Sequence, residues 1–434
     1  MSYILTDNVT AKDGILYFGG RSTLELAEKY GTPLYLMDEE RIRRNCREYR
    51  EALTEAFGAE STALYASKAA SFKKIYEIIN EEGLGADVVS SGEIYTAVKA
   101  GFPMENAYFQ GNNKTDWDIE YAMDNKVGYF VCDNFEEVDA ISRIGAKKGI
   151  NQKILLRLTP GIDPHTYAAV ATGKVDSKFG TAIETGQAEE IAVYAASKPN
   201  VALMGFHCHV GSMVFDSDTF IRSAEIMLKF IADMKSRHGF ITKVLDLGGG
   251  YGVRYVADQP VFSIRENILL VGKYIDVKCR EFGIDRPIIH MEPGRSIVAD
   301  AGMTLYTAGT VKKIKGYKNY VSIDGGMTDN PRYALYQSRY TVLTANKMNA
   351  AADLQCDLVG RCCESGDIIQ PGVMFPADIG RGDTIAVLTT GAYNYSMASN
   401  YNRIGRPPVV MINKDNDYLA VRRETLEDMA RNDV

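Results

Sequence analysis

Short apolar runs recur along the first two thirds of the chain, and most are followed by a polar or glycine-rich step and a stretch with helical spacing. Runs at Ala63–Ser67, Ala86–Val89, Ala107–Gln110, Gly128–Val131, Lys153–Leu158, Ala202–His207, Lys243–Leu247 and Pro287–Met291 read as strands. Helical stretches such as Phe72–Glu82, Gly92–Ala100 and Asp216–His238 lie between them. In the last, Phe220, Ile221, Ala224, Met227, Leu228 and Ile231 recur at the spacing of one helix face. Strands alternating with helices imply parallel β/α units. Eight such units predict an α/β fold built on a closed, TIM-like (β/α)8 barrel rather than an open doubly wound sheet. After Arg295 the texture changes. Thr304–Lys313, Tyr320–Asp324, Tyr340–Thr344, Asp353–Val359 and Thr384–Leu388 read as strands with turn residues between them, which predicts a separate, mainly antiparallel β domain. The opening segment Tyr3–Phe18 is also strand-like and is expected to pair with it. The division expected is 36–289 for the barrel, with 1–35 and 290–434 in the β domain.

Chemistry-bearing side chains fall just after the expected strands. Lys68 follows Leu64-Tyr65-Ala66-Ser67. Asp87, Ser90 and Ser91 close the next strand, Arg157 lies near the end of another, and His207 and His209 end a third. Gly248, Gly249 and Gly250 follow Val244–Leu247, and Glu292 and Arg295 follow Pro287–Met291. In a barrel all of these converge on the carboxyl-terminal face, where barrel active sites form. A lone lysine is ordinarily a solvated surface residue. At a strand end, flanked by small and apolar residues, Lys68 becomes a candidate nucleophile, because a desolvated amine has a lowered pKa and can attack a carbonyl to form a Schiff base.

The glycine run, with Gly252, suits a phosphate cradle, since backbone N–H groups without side chains can approach an anion. Taken alone it fits a plain tight turn equally well. It does not match the dinucleotide pattern, because Val253 occupies the last glycine position, and no GK[ST] sequence occurs. His207 and His209 point the same way on a strand, but no third metal ligand is evident, so a core or stacking role is favoured and no metal is expected. Glu292 fits either an ordinary acidic residue beside a turn or a group that holds a proton on a heterocyclic nitrogen.

Composition narrows the partners. A net charge of -7 argues against nucleic acid or anionic lipid as the main partner. No apolar run approaches the roughly 20 residues that span a bilayer, and Met1–Thr10 shows no signal-peptide pattern. The 7 cysteines are scattered without a CxxC pair, so neither a disulfide framework nor a zinc site is expected, and a reducing cytoplasm is the default location.

Taken in order, a set of local sequences resembles the fold-type III pyridoxal-phosphate decarboxylases (the alanine racemase/decarboxylase-like architecture), and within them the meso-diaminopimelate decarboxylases. These are Tyr30-Gly31-Thr32-Pro33-Leu34-Tyr35, Tyr65-Ala66-Ser67-Lys68-Ala69, Asp87-Val88-Val89-Ser90-Ser91-Gly92-Glu93 and Ser177-Lys178-Phe179-Gly180. Phe206-His207-Cys208-His209-Val210-Gly211-Ser212, the glycine run and Glu292-Pro293-Gly294-Arg295 follow. Cys363-Glu364-Ser365-Gly366-Asp367 and Gly391-Ala392-Tyr393 complete the set.

The resemblance implies that Lys68 carries pyridoxal 5'-phosphate as a Schiff base and that His209 stacks on the pyridine ring. It places Ser212, Gly249, Gly250 and Tyr393 at the phosphate, with Gly248, Asp87 and Arg157 also at the cofactor. Glu292 pairs with the protonated ring nitrogen. Cys363, contributed by the second subunit of a homodimer with shared sites, is the candidate proton donor to Cα; the bland alternative is a buried small apolar residue. Arg295, Arg332 and Tyr336 would take the distal carboxylate of an amino-acid substrate and Glu364 its distal ammonium, with Tyr393 also at the substrate. Arginine suits a carboxylate because its fork can bond both oxygens. Read alone, Arg332 fits a surface ion pair equally well.

The expected reaction is decarboxylation of meso-2,6-diaminopimelate to L-lysine and carbon dioxide. A related decarboxylase acting on another basic amino acid or a carboxylated polyamine is the alternative. A racemase would need a second base on the opposite face, and a catalytically dead homologue would lack the lysine or the phosphate site. The chain departs from the family pattern at Met213, where glutamine is frequent, in Thr328–Tyr336, where proline precedes the arginine, and at Arg361 and Cys362.

Overall fold

The computed structural model describes residues 6–162 and 177–434. The loop around His165 and residues 3–5 of the expected opening strand lie outside them. The chain divides into two compact units. One comprises Asn45–Gly252 and Phe262–Gly294; the other comprises Met1–Arg44, Val253–Val261 and Arg295–Val434.

The first unit is a closed parallel barrel. Its strands are β1 (Thr62–Ala66), β2 (Gly85–Val88), β3 (Ala107–Phe109), β4 (Tyr129–Cys132), β5 (Gln152–Thr159), β6 (Val201–His207), β7 (Val244–Asp246) and β8 (Ile288–Met291). Each is hydrogen-bonded in parallel to the next. β8 returns to β1 through His290 opposite Thr62 and Met291 opposite Ala63, so the eight strands close on themselves. A two-residue strand, Thr181–Ala182, adds to β5. Leu64, Tyr108, Val131, Leu155 and Val244 fill the interior, which makes the barrel a packed core rather than a pore.

The connecting helices begin and end where the sequence provides caps. In Ser217–His238 the carboxylate of Asp216 accepts from the N–H groups of Asp218 and Thr219, and Gly239 closes the other end in the left-handed region. The face expected to be apolar is buried at Phe220, Ala224, Met227, Leu228 and Ile231. A closed eight-stranded barrel matches the reading from the apolar runs, with strand ends displaced by a residue or two.

The second unit is a mostly antiparallel sheet in the order Ile368–Pro376, Ala352–Val359, Asn319–Ile323, Gly302–Lys313, Leu34–Asp38, Val409–Ile412 and Asp417–Val421. Val342–Thr344 pairs with Thr384–Leu388, which also borders Gly302–Lys313. The opening segment behaves differently from expectation. Val9–Lys12, Ile15–Phe18 and Arg21–Ser22 make their own three-stranded sheet, and Leu34–Asp38 enters the large sheet instead. The physical reason is the burial pattern. Val9–Lys12 is exposed at three of its four positions, whereas all five residues of Leu34–Asp38 are buried, as a strand with neighbours on both sides requires. The opening segment still gives Val9, Leu16 and Phe18 to the apolar cluster around Leu34, Leu36, Leu305 and Val410.

Within this unit Asp329 is buried, and its carboxyl accepts from the hydroxyl of Tyr306 (3.0 Å) and the N–H of Gly326 (3.1 Å). Burial outweighs these bonds and pushes its pKa up to about 7. The folded chain therefore keeps a proton that the unfolded chain has released, and stability should fall as pH rises from about 4 to about 7. Asp329→Asn, which carries no ionisable proton, is expected to flatten that slope. Urea-denaturation midpoints measured across the window check it; an unchanged slope would contradict the assignment.

Candidate active site

In the barrel unit, the polar groups gather at the carboxyl-terminal ends of the strands, as alternation along β1, β2, β6, β7 and β8 dictates. Lys68 lies in a single 3-10 turn directly after β1, with its side chain 46% exposed and its ammonium 3.6 Å from the fully buried carboxyl of Asp87 at the end of β2. Neither oxygen of Asp87 receives a hydrogen bond among the described residues. Burial, opposed by the Lys68 charge and reinforced by Glu292, raises its pKa to about 7. Asp87 is thus a nearby counter-charge whose strength depends on its protonation.

Glu292, directly after β8, is buried and held on both oxygens. Gln110 donates to one from its amide nitrogen, and the Nε2 of His207 lies 3.1 Å from the other. Burial disfavours its charge, but His207 and Lys68 outweigh burial and hold the carboxyl far below the usual range. The opposite happens at Asp246, where burial and the Glu292 charge raise the pKa well above that of an ordinary carboxyl. Glu292 is therefore the ionised member of this acidic pair. His207, Asp246 and Glu292 lie close enough for their ligand atoms to meet one ion; within the set His207 is hydrogen-bonded to Glu292, and Asp246 accepts from the N–H of Gly248.

His209 is neutral. Burial, then the charges of Lys68 and Arg157, depress its pKa well below the imidazole range. Its Nδ1 accepts from the N–H of Gly249 at 3.2 Å, which leaves the proton on Nε2 and the ring without charge. The glycine run is built for close approach. A Cβ on Gly249 would lie 2.1 Å from the Glu292 carbonyl oxygen, and one on Gly250 would lie 2.2 Å from that of Gly211.

The three glycines do not present their N–H groups alike. That of Gly248 donates to Asp246 (2.8 Å) and that of Gly249 to His209, whereas that of Gly250 meets no protein acceptor among the described residues. Ser212 is half-buried, next to Met213, whose backbone takes the left-handed φ of 63°. Arg157 is buried with its guanidinium 4.5 Å from the ring centre of Phe179, which gives the Ser177–Gly180 sequence a physical task.

In the second unit the sequence expectation meets a different partner set. Arg295 and Arg332 are both buried, and both donate to the hydroxyl of Tyr255, at 2.8 and 3.1 Å. Arg332 also donates to the hydroxyl of Tyr340 (3.0 Å). Tyr393, half-buried with φ of 60°, lies with its ring 4.7 Å from the Arg295 guanidinium carbon. Tyr336 ends the short helix Arg332–Tyr336 and is half-buried; the tyrosines hydrogen-bonded to Arg332 are Tyr255 and Tyr340. Neither was singled out in the sequence, nor were Gln110 and Asp246, because nothing in their local spacing sets them apart. Cys363 and Glu364 are exposed, on a loop pinned by the buried carboxyl of Asp367, which accepts from the N–H groups of Cys362 (2.7 Å) and Met327 (2.6 Å).

The barrel cluster fits pyridoxal phosphate. It offers an amine, a neutral imidazole, a buried ionised carboxylate bonded to Gln110 and His207, a buried carboxyl with unmet oxygens, and a glycine turn that admits no side chain. The model of the family described as "Pyridoxal-dependent decarboxylase, pyridoxal binding domain" matches residues 39–299. The diaminopimelate decarboxylase of Bacillus subtilis (strain 168) is 42% identical over 97% of this chain and 95% of its own length. The solved diaminopimelate decarboxylase of M. jannaschii, in complex with L-lysine, superposes with a TM-score of 0.90 at 32% identity, covering 99% of this chain and 98% of that one. The Helicobacter pylori enzyme, also complexed with L-lysine, gives 0.85 at 30% identity over 94% and 98%. Lys68, the carboxylate at Glu292 and these likenesses agree, and the chain belongs to the pyridoxal-dependent decarboxylases, within them to the diaminopimelate decarboxylase family.

Proposed function

We infer that the protein decarboxylates meso-2,6-diaminopimelate to L-lysine and carbon dioxide, the closing step of a lysine synthesis. One observation carries the choice of substrate: Arg295 and Arg332 meet on a single buried phenol. A substrate with only an ammonium at its far end calls for a carboxylate, whereas paired guanidinium groups suit a second carboxylate. The names of the relatives and their complexes with L-lysine support the same reading.

When bound, pyridoxal phosphate supplies a sink for the electron pair left as the bond from Cα to the carboxylate breaks. The residues of this chain do the rest. Lys68 anchors the aldehyde carbon, with Asp87 beside it as counter-charge. Glu292, kept ionised in a buried setting, holds a proton at the ring nitrogen. His209, uncharged, offers a flat face for the ring without competing for that proton. The N–H of Gly250, with Ser212 and Tyr393, serves the phosphate, and Arg157 fixes the loop beside it. Arg295, Arg332, Tyr336 and Tyr393 hold the distal carboxylate and Glu364 the distal ammonium. The Cys363 thiol returns a proton to Cα.

Cys363 and Glu364 are exposed in the single chain, which supports a homodimer in which they serve the partner's site. On this reading the barrel is the cofactor domain and the β unit supplies the substrate-reading groups. No helix among the described residues is long and apolar enough to cross a membrane, and a cytoplasmic enzyme of amino-acid synthesis fits the scattered free cysteines.

A substrate panel read by carbon dioxide release tests the assignment. Release from meso-diaminopimelate is expected to exceed release from lysine, ornithine and arginine by orders of magnitude. Preference for any of those three would overturn the substrate while leaving the decarboxylase chemistry in place.

A further inference from the structure

We propose that Tyr255 is a substrate-binding residue that sets specificity, its hydroxyl donating to the distal carboxylate that Arg295 and Arg332 attract; this rests on the reaction assigned above. A phenol has one hydrogen to give and two lone pairs to receive. In Tyr255 both receiving positions are taken, by Arg295 at 2.8 Å and by Arg332 at 3.1 Å. Its hydrogen meets no acceptor among the described residues. Tyr340 contrasts with it: its hydroxyl receives from Arg332 and passes its own hydrogen to the side-chain oxygen of Asn394 at 3.3 Å.

On the two side chains bonded to Tyr340, the buried Nε of Arg332 and the buried side-chain nitrogen of Asn394 also meet no acceptor among the described residues. The cluster is therefore rich in donors and short of acceptors, and a carboxylate has the opposite composition. The ring of Tyr255 is held edge-on against Tyr340, with centres 5.4 Å apart and planes at 81°, so the hydroxyl is fixed in direction. Burial works against ionisation of Tyr255, but the two arginines outweigh it and make the phenol more acidic than usual, which strengthens it as a donor.

The test compares Tyr255→Phe with Tyr340→Phe in the holoenzyme, with cofactor content and melting temperature as checks on folding. Three ligands separate the roles: meso-diaminopimelate as substrate, L-lysine as an inhibitor that keeps the distal carboxylate, and 1,5-diaminopentane, which has none. Loss of a hydrogen bond to a charged group should raise the KM for meso-diaminopimelate and the inhibition constant of L-lysine about tenfold or more in Tyr255→Phe. The change in kcat should be smaller, and inhibition by the diamine should stay as in the parent. Tyr340→Phe should move each value less.

Equal effects of the two variants, or equal weakening of the diamine, would show that Tyr255 only props the arginines and would overturn the proposal. Arg332→Ala in the same assay separates the two levels. If it binds meso-diaminopimelate as the parent does, the distal-carboxylate reading itself falls. If it loses affinity while Tyr255→Phe does not, only the role of Tyr255 falls. Should Tyr255→Phe lose its fold, Tyr255→His, which keeps a ring and an N–H donor, is expected to retain more L-lysine affinity than Tyr255→Ala; parity between those two would also overturn it.

Discussion

Lys68→Ala is expected to abolish carbon dioxide release while the barrel stays folded. Lys68 is half-exposed at the end of β1, packs into no core, and its ionic neighbour Asp87 has a pKa already near 7. Removing the amine lets Asp87 take a proton rather than stranding a buried charge, so the structural cost is small compared with removing one partner of a committed buried pair. Lys114 and Glu137 form such a pair, each almost wholly buried and hydrogen-bonded to the other. Chemistry suffers instead, because the amine that anchors the aldehyde is gone. Two measurements separate the effects. Turnover should drop to background with an unchanged melting temperature, and borohydride treatment of the parent protein should fix the cofactor's mass on the peptide carrying Lys68. Near-normal turnover in the variant would end the assignment.

Glu292→Gln should lower kcat by a factor of about 10² to 10³, the size seen when one fixed electrostatic contact to a developing charge is removed. The amide keeps the size of the carboxyl, so the backbone contacts around Gly249 and the Glu292 carbonyl stay as they are. What disappears is the single buried negative charge that His207 and Lys68 hold in place. The ring nitrogen then loses the partner that keeps it protonated. A second effect follows from Asp246, whose raised pKa owes part of its shift to the Glu292 charge. With that charge gone, Asp246 should ionise more readily and recover some function, so the loss should be smaller at high pH than at low pH. A variant with full kcat and the parent's pH profile would remove Glu292 from the mechanism.

The barrel was legible in the sequence for a physical reason. Strands buried on both sides are short continuous apolar runs, and barrel sites sit where those runs end. Lys68, Asp87, His209 and Glu292 became candidates this way, by position rather than by motif. The β unit was harder to read. Ile368–Pro376 went unassigned; it contains Pro371 and Gly372, residue types that ordinarily interrupt a strand. The structure absorbs them at an irregularity in register opposite Asp357, whose carboxylate accepts from the N–H of Gly372 at 2.9 Å. Leu34–Asp38, Val409–Ile412 and Asp417–Val421 went unassigned, since runs of four or five residues gain their strand character only from distant partners. Tyr255 was invisible for a related reason. It is one of 26 tyrosines, and only the fold brings Arg295 and Arg332, 40 and 77 residues further along the chain, to its hydroxyl.

The place of Leu34–Asp38 bears on how the protein is made. This strand lies between Gly302–Lys313 and Val409–Ile412 and pairs with both. During translation its second neighbour, Val409–Ile412, emerges long after it. The barrel unit ends at Gly294 and is complete well before then. Until Val409–Ile412 is made, therefore, an apolar strand keeps an open hydrogen-bonding edge, which is the kind of exposure that invites aggregation and chaperone binding. The same arrangement means that trimming the last 30 residues would remove Val409–Ile412 and leave the amino-terminal strand without one of its two neighbours.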